Sequence, residues 1–257
     1  MKIAVIFDKE ARPDTIGNYY EAALRRTEHE VTHLSIQQSQ AKRDEHDLYL
    51  FIDDDFNYQN LFPKKKSACV IIDGHRLWSP GAFHSNYGTG HEPFWRVKRA
   101  WSCENVFVSQ AHIAQSFQWF DMNAHHLPTA ADPTQWYKIL GMEKKYDWSY
   151  VGNVYEEKKP VITALQKAFP NCWVGKAHGR EAVEIMNQSR VNVNISFGND
   201  INMGVFERIM TGTFTLTNYV KKIYDIFDPK LETRNISHCY YFDQHTGENS
   251  AAEAMEI

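Results

Sequence analysis

The sequence predicts an α/β protein built from two doubly wound, Rossmann-like halves. Short apolar runs alternate with helix-like segments along the chain, which is typical of parallel sheets. The alternation pauses over the polar residues 133–147, which include a proline and a glycine, and then restarts. We therefore predict an N-terminal domain over residues 1–135 and a C-terminal domain over residues 141–257, facing each other across a cleft.

The first half contains six strand-like segments. The first is the apolar run Ile3–Phe7, which suits a buried parallel strand. Asp14 or Thr15 can cap the helix that follows, because apolar residues then recur at helical spacing. A second helix is predicted over residues 112–120. The other strands are predicted at HEVTHLSI, DLYLFIDDD, ACVIIDG, NVFVSQ and HHLPTAAD.

The second half repeats this topology without repeating the sequence. Strands are predicted at DWSYVGN, CWVGK, VNVNIS, TFTLT and HCYYFD. Helices are predicted over residues 160–169 and 180–189, from VFERIM, and in the tail from Ser250. Valine or isoleucine alternates strictly with asparagine or serine in VNVNIS, so the two faces of that strand differ in polarity.

Composition limits the classes of function. The chain has 257 residues, of which 43% are hydrophobic, and a formal net charge of -4. This charge does not favour general binding to nucleic acid or to an acidic membrane. The start MKIAVIFDK is a short apolar run followed by charge, which predicts a strand and not a signal peptide. The four cysteines are widely spaced, so they predict buried thiols in a reducing compartment, and we expect a cytoplasmic protein.

The most informative segment is NDINMGVFERIMTGTFTLTN, residues 199–218. A polar loop opens a helix that carries Glu207 in its first turns and ends at Gly212. The N–H groups and the dipole at a helix N-terminus suit a diphosphate, and a glutamate one turn later can accept hydrogen bonds from ribose hydroxyls. On spacing alone there is a plainer alternative. Glu207 would then face solvent, and the glycines would only shape turns.

This segment resembles the donor-site signature of GT-B glycosyltransferases, in particular those of the spore-maturation-protein-B-like type. In the N-terminal half, DTIGNYYEAALRR and LPTAADPTQWY also resemble that family, so the resemblance covers nearly the whole chain. In the C-terminal half the matching residues follow the family's order. They are Val151, Gly152, Asn153, Val174, Gly175, Asn194, Asn202, Phe206, Glu207, Gly212, Thr213, Phe214, Leu216 and Thr217.

The resemblance implies a hexosyltransferase that moves a sugar from a nucleotide-diphosphate sugar to a hydroxyl acceptor. It implies no metal and no cofactor beyond the nucleotide-sugar donor. The C-terminal domain would bind the donor and the N-terminal domain the acceptor. Glu207 would bind the donor ribose, and the other implied donor-site residues are Gly152, Asn153, Asn202, Gly212 and Thr213.

The chain departs from the family pattern at two positions. Many retaining relatives carry two glutamates eight positions apart, but Asn199 stands at the first of these positions. An arginine often precedes V-F-E, but Gly204 stands in that place. We therefore predict that Lys176 or Arg180 supplies the missing positive charge to the diphosphate, with Arg208 as a weaker candidate. The alternative for Lys176 is a solvated lysine.

Candidates for catalysis lie in the N-terminal half. Gly17 opens the first helix, at a turn that in this fold approaches the reacting centre, although it could equally be a simple turn glycine. Asp73 and His75 directly follow the fourth strand, where a general base could deprotonate an acceptor hydroxyl. A buried structural Asp–His pair explains them equally well, and Asp8 and Asp14 are rivals for the role of base.

The segment from Trp78 to Trp101 is rich in aromatic residues, which predicts an acceptor surface. His75, His84, His91 and Glu92 match no metal motif, so no metal site is predicted. Motifs for a serine hydrolase and a P-loop are absent from the sequence, and the first strand lacks the glycine fingerprint of a nicotinamide enzyme.

Two alternative functions remain open from the sequence. The first is a glycosyltransferase that acts on a modified base in DNA, which the lysine run 64–66 permits and the net charge opposes. The second is a non-catalytic nucleotide-sugar-binding protein. The last predicted helix stops at Ile257, which leaves a minimal enzyme or a homodimer that completes itself as further alternatives.

Overall fold

The computed structural model describes residues 1–9, 15–42, 44–52, 64–72, 100–196, 201–218, 220 and 239–242. The chain divides into two compact units, Met1–Thr129 and Ala130–Ile257. Each unit contains one parallel sheet flanked by helices, which confirms the predicted α/β fold class. Along the described ranges, no helix combines the length and the apolar character that crossing a bilayer needs.

The first unit contains a six-stranded parallel sheet in the order β2-β1-β3-β4-β5-β6. Its strands are β1 (Lys2–Ile6), β2 (Glu30–Leu34), β3 (Leu48–Ile52), β4 (Ser67–Ile71), β5 (Asn105–Val108) and β6 (Ala124–His126). Its described helices are α1 (Ile16–Arg25), α2 (Ile36–Ala41) and α3 (Ala111–Gln118), with a 3₁₀ turn at Lys64–Lys66.

Both faces of this sheet are buried. Ala4 and Ile6 of β1 belong to one apolar cluster, whereas Ile3, Val5 and Phe7 belong to another. Successive side chains of a strand point to opposite faces, so the two clusters lie on opposite sides of the sheet. This explains why the strand sequences are continuous apolar runs and do not alternate.

The second unit contains a five-stranded parallel sheet in the order β11-β10-β9-β7-β8. Its strands are β7 (Tyr146–Val151), β8 (Cys172–Gly175), β9 (Ser189–Asn194), β10 (Phe214–Asn218) and β11 (Cys239–Phe242). Its described helices are α4 (Lys159–Ala168), α5 (Gly179–Gln188) and α6 (Met203–Met210). The predicted tail helix from Ser250 lies outside the described residues.

The two faces of strand β9 pack differently, as its alternating apolar and polar sequence predicts. Val193 packs into the apolar cluster around Trp148. The asparagines are buried too, but they are hydrogen-bonded. Asn192 Oδ1 accepts from Ser149 Oγ at 2.8 Å, and Asn194 Nδ2 donates to Thr217 Oγ1 at 3.0 Å. Burial of these amides is tolerated because their polar atoms have partners, and the polar face thereby fixes the register of the central strands.

Candidate functional site

The second sheet has a topological switch point between β7 and β9. The chain passes from β7 to β8 on one side, and then crosses back to place β9 on the other side of β7. The chain therefore continues from β7 to one side of the sheet and from β9 to the other, and this topology opens a crevice at their carboxyl ends. Ligands of open α/β sheets bind at this kind of crevice.

Arg208 of α6 reaches across the switch point. Its Nε donates to the carbonyl of Val193 at 3.0 Å, Nη1 to that of Gly204 at 2.8 Å, and Nη2 to that of Val151 at 2.6 Å. The guanidinium thus joins the ends of β7 and β9 to the first turn of α6. The residue is only 4% exposed. All three acceptors are neutral carbonyl groups, so these hydrogen bonds do not neutralise the buried charge.

Burial lowers the pKa of Arg208 from its usual value, and the charge of Glu207 opposes this lowering. Gly204 has no side chain, and this leaves space for the guanidinium of Arg208. A Cβ at Gly204 would lie 2.5 Å from Arg208 Nη1 and 3.1 Å from Asn194 Oδ1. A glycine at position 204 is therefore explained by Arg208, one helical turn later, whose guanidinium fills the space beside it.

Asn202 is the N-cap residue of α6. Its Oδ1 is buried and has no hydrogen-bond partner among the described residues. Buried acceptors normally have a partner. The amide oxygen of Asn202 is therefore suited to accept a hydrogen bond from a bound ligand at the start of α6.

A second buried cation, Lys158, stands at the N-cap of α4. It is 8% exposed, and its Nζ donates to the hydroxyl of Tyr150 at 2.8 Å. The ring of Tyr150 lies close to both cations: its centroid is 5.4 Å from Lys158 Nζ and 6.0 Å from Arg208 Cζ. Burial, and then the charge of Arg208, lower the pKa of Lys158 to about 8.

Tyr150 links these cations to the turn after β7. Its hydroxyl donates to the carbonyl of Asn153 at 3.0 Å. Burial raises the pKa of Tyr150 to about 12, so the hydroxyl keeps its proton at neutral pH. Gly152, within the same turn, has a φ of 152°, a conformation that favours glycine, and its N–H donates to the carbonyl of Gly175 at 2.8 Å.

The structure brings three of the predicted donor-site residues to the carboxyl edge of this sheet and places a fourth, Glu207, in the helix that begins there. Gly152 and Asn153 form the turn after β7, and Asn202 and Glu207 lie at the start and in the middle of α6. Glu207 is only 9% exposed. The alternative that this glutamate simply faces solvent is therefore wrong.

Gly212 and Thr213 lie at the opposite, amino edge of the sheet, so the structure does not bring them to the switch point with the other predicted donor-site residues. Helix α6 runs from the carboxyl end of β9 to the start of β10, and its eight residues span about 12 Å. Gly212, with a φ of 66°, ends the helix. Thr213 Oγ1 donates to the carbonyl of Met186 at 3.1 Å. These two residues shape the return to β10.

The basic residues predicted to contact the diphosphate have different environments. Lys176 is exposed directly after β8, and Arg180 is exposed and pairs with Glu184 at 2.7 Å. Arg208, the weaker candidate, is the one that reaches the switch point. Sequence reasoning missed Lys158. The sequence does contain a signal for this residue. Lys158 and Lys159 stand just before Pro160, at the start of the helix that follows the VGN turn.

In the first unit, Gly17 is buried in the first turn of α1. A Cβ at this position would overlap the ring of Phe7. The structure therefore gives Gly17 a packing role close to the carboxyl end of β1. Asp73 and His75, the rival base Asp14, and the histidines and Glu92 considered for a metal lie outside the described residues.

The C-terminal part of the chain matches a known family. Residues 135–252 match the model of a family described as glycosyl transferase-like. None of the curated proteins compared matches the sequence.

Two solved structures resemble the chain in fold. One is a sucrose-phosphate synthase from Thermosynechococcus elongatus, with a TM-score of 0.59 at 10% identity, covering 99% of this chain and 88% of that chain. The other is TarM, with a TM-score of 0.51 at 8% identity, covering 85% of this chain and 50% of that chain. This chain thus spans about half the length of TarM. The chain therefore has the GT-B fold, and its residues 135–252 match a glycosyl transferase-like domain.

Proposed function

We propose that the protein transfers a hexose from a nucleotide-diphosphate sugar to a hydroxyl acceptor without a metal ion, and that the donor binds at the switch point of the second sheet. One observation carries this proposal. Two buried cations, Lys158 and Arg208, flank the ring of Tyr150 at the carboxyl end of β7. The family match of residues 135–252 supports the same class of substrate.

The donor would use both helix starts at this edge. Its diphosphate contacts the Lys158 ammonium and the N–H groups that open α6, where the helix dipole also favours an anion. Glu207 accepts hydrogen bonds from the ribose hydroxyls. The buried Asn202 Oδ1 accepts one further hydrogen bond from the donor.

In the transfer step, the bond between the anomeric carbon and the β-phosphate oxygen breaks. A bond from the acceptor oxygen to that carbon forms, and the acceptor proton is released. Negative charge grows on the departing nucleoside diphosphate, and a fixed ammonium in a site shielded from water stabilises it. The Lys158 ammonium therefore stabilises the leaving group, and the reaction requires no metal ion.

We assign acceptor binding to the N-terminal domain, residues 1–135, and donor binding to residues 141–257. If the reaction inverts the anomeric centre, Asp73 or His75 is the proposed base. If it retains the configuration, the departing phosphate oxygen takes up the acceptor proton and no protein base is needed. The free thiols of Cys103 and Cys172 suit a cytoplasmic enzyme. The spore-maturation-protein-B-like type stays a prediction from motif order.

A thermal-shift screen tests the proposed function. We expect at least one UDP-, GDP- or TDP-sugar to raise the melting temperature of the wild type by roughly 5 °C at a hundredfold excess over its Kd. Glu207→Ala should lose most of this shift, because the ribose contacts are lost. Glu181→Ala, at an exposed position on α5, is the matched control and should keep it. No stabilisation of the wild type by any nucleotide sugar would reject the proposal.

A further inference from the structure

We propose that Tyr150 is a positioning residue whose hydroxyl holds the Lys158 ammonium ready for the donor diphosphate. The inference rests on the proposed function, because it assigns Lys158 to the donor. The hydroxyl lies 2.8 Å from Lys158 Nζ and 3.0 Å from the carbonyl oxygen of Asn153. Tyr150 thereby connects the cation to the turn that follows β7.

The direction of both hydrogen bonds is fixed by chemistry. An ammonium only donates, and a carbonyl only accepts. The tyrosine hydroxyl must therefore accept from Lys158 and donate its single proton to Asn153. The result is an ordered chain of bonds that runs from the cation through the hydroxyl to the backbone of the turn.

This arrangement orders a side chain that would otherwise be mobile. A lysine has four rotatable side-chain bonds, and fixing them costs conformational entropy. Tyr150 is 2% exposed and packs in the apolar cluster with Trp148 and Ile162. Its hydroxyl is therefore a rigid anchor. Lys158 is already ordered in the folded protein. The entropy cost of fixing its side chain therefore does not reduce the free energy of donor binding.

Tyr150→Phe isolates the role of the hydroxyl. The ring remains in the core, and its face stays near Lys158 and Arg208, so cation–π attraction is kept. The variant removes only the two hydrogen bonds. Tyr146→Phe, at the half-buried amino end of the same strand, is the matched control.

A double-mutant cycle with Lys158→Met tests the coupling. Affinities for UDP, GDP and TDP are measured by calorimetry in the full-length protein. We expect Tyr150→Phe to weaken binding of the preferred nucleotide about five- to tenfold in the wild-type background. In the Lys158→Met background it should have almost no effect, because the ammonium it positions is gone. An equal loss in both backgrounds would overturn the proposal, since Tyr150 would then act through the structure in general.

A second measurement needs no nucleotide. The pKa of Lys158 is followed by NMR of ¹³C-labelled lysine, with the signal assigned from its loss in Lys158→Met. A hydrogen bond accepted from the charged form favours that form, so Tyr150→Phe should lower the pKa by roughly half a unit. An unchanged pKa overturns the link between the two residues. A lowered pKa in a protein that binds no nucleotide would instead reject the proposed function alone.

Discussion

Replacing Lys158 with methionine is expected to weaken binding of the donor nucleotide about 100-fold at pH 7. The ammonium is buried, so its attraction to a diphosphate is little screened by water. Methionine fills a similar space and keeps the apolar packing of the side chain, so the loss reports mainly on charge. Calorimetric titration with the nucleotide found in the thermal screen measures the effect.

Lys159→Met is the control for this prediction. Lys159 is the next residue, but its side chain is 53% exposed and pairs with Glu156. Exposed ion pairs contribute little, and removing this charge should change the affinity less than twofold. If both variants bind the nucleotide as the wild type does, Lys158 does not contact the phosphates.

Binding of an intact nucleotide sugar is expected to weaken about tenfold between pH 7 and pH 9. In the free protein the pKa of Lys158 is about 8, so the ammonium loses its proton above that pH. A bound diphosphate favours the charged form and raises this pKa. Binding therefore takes up a proton, and affinity falls up to tenfold per pH unit above pH 8.

Calorimetry in buffers of different ionisation enthalpy checks this directly, because proton uptake changes the observed heat. The intact nucleotide sugar is the right ligand, since its phosphodiester groups stay ionised over the whole range. Lys158→Met should bind weakly, and its affinity should change little from pH 7 to pH 9. A wild-type affinity that is constant over this range would contradict the assignment of Lys158.

Much of the fold could be predicted because buried parallel strands have continuous apolar sequences. Ile3–Phe7 is one such run, and the structure places β1 there with both faces covered. The helix that starts near VFERIM was also predictable, from the glycine-containing polar loop before it and the glycine after it. Its observed range is Met203–Met210.

The donor-site chemistry was less accessible from sequence. Lys158 belongs to a pair of lysines at a helix start, and such a residue is usually solvated. Its burial depends on Tyr150, eight positions earlier on a neighbouring strand, so local sequence could not reveal it. Arg208 likewise depends on carbonyl groups from β7 and β9. Gly212 and Thr213 lie at the amino edge of the sheet, and motif order alone does not say at which edge a residue lies.

A crystal structure of the full chain with its preferred nucleotide sugar tests the central claim most directly. We expect the diphosphate within hydrogen-bonding distance of Lys158 Nζ and the first N–H groups of α6, with the ribose on the Glu207 carboxylate. Phosphates bound at the amino edge of the second sheet, near Gly212 and Thr213, or a ribose remote from Glu207, would contradict it.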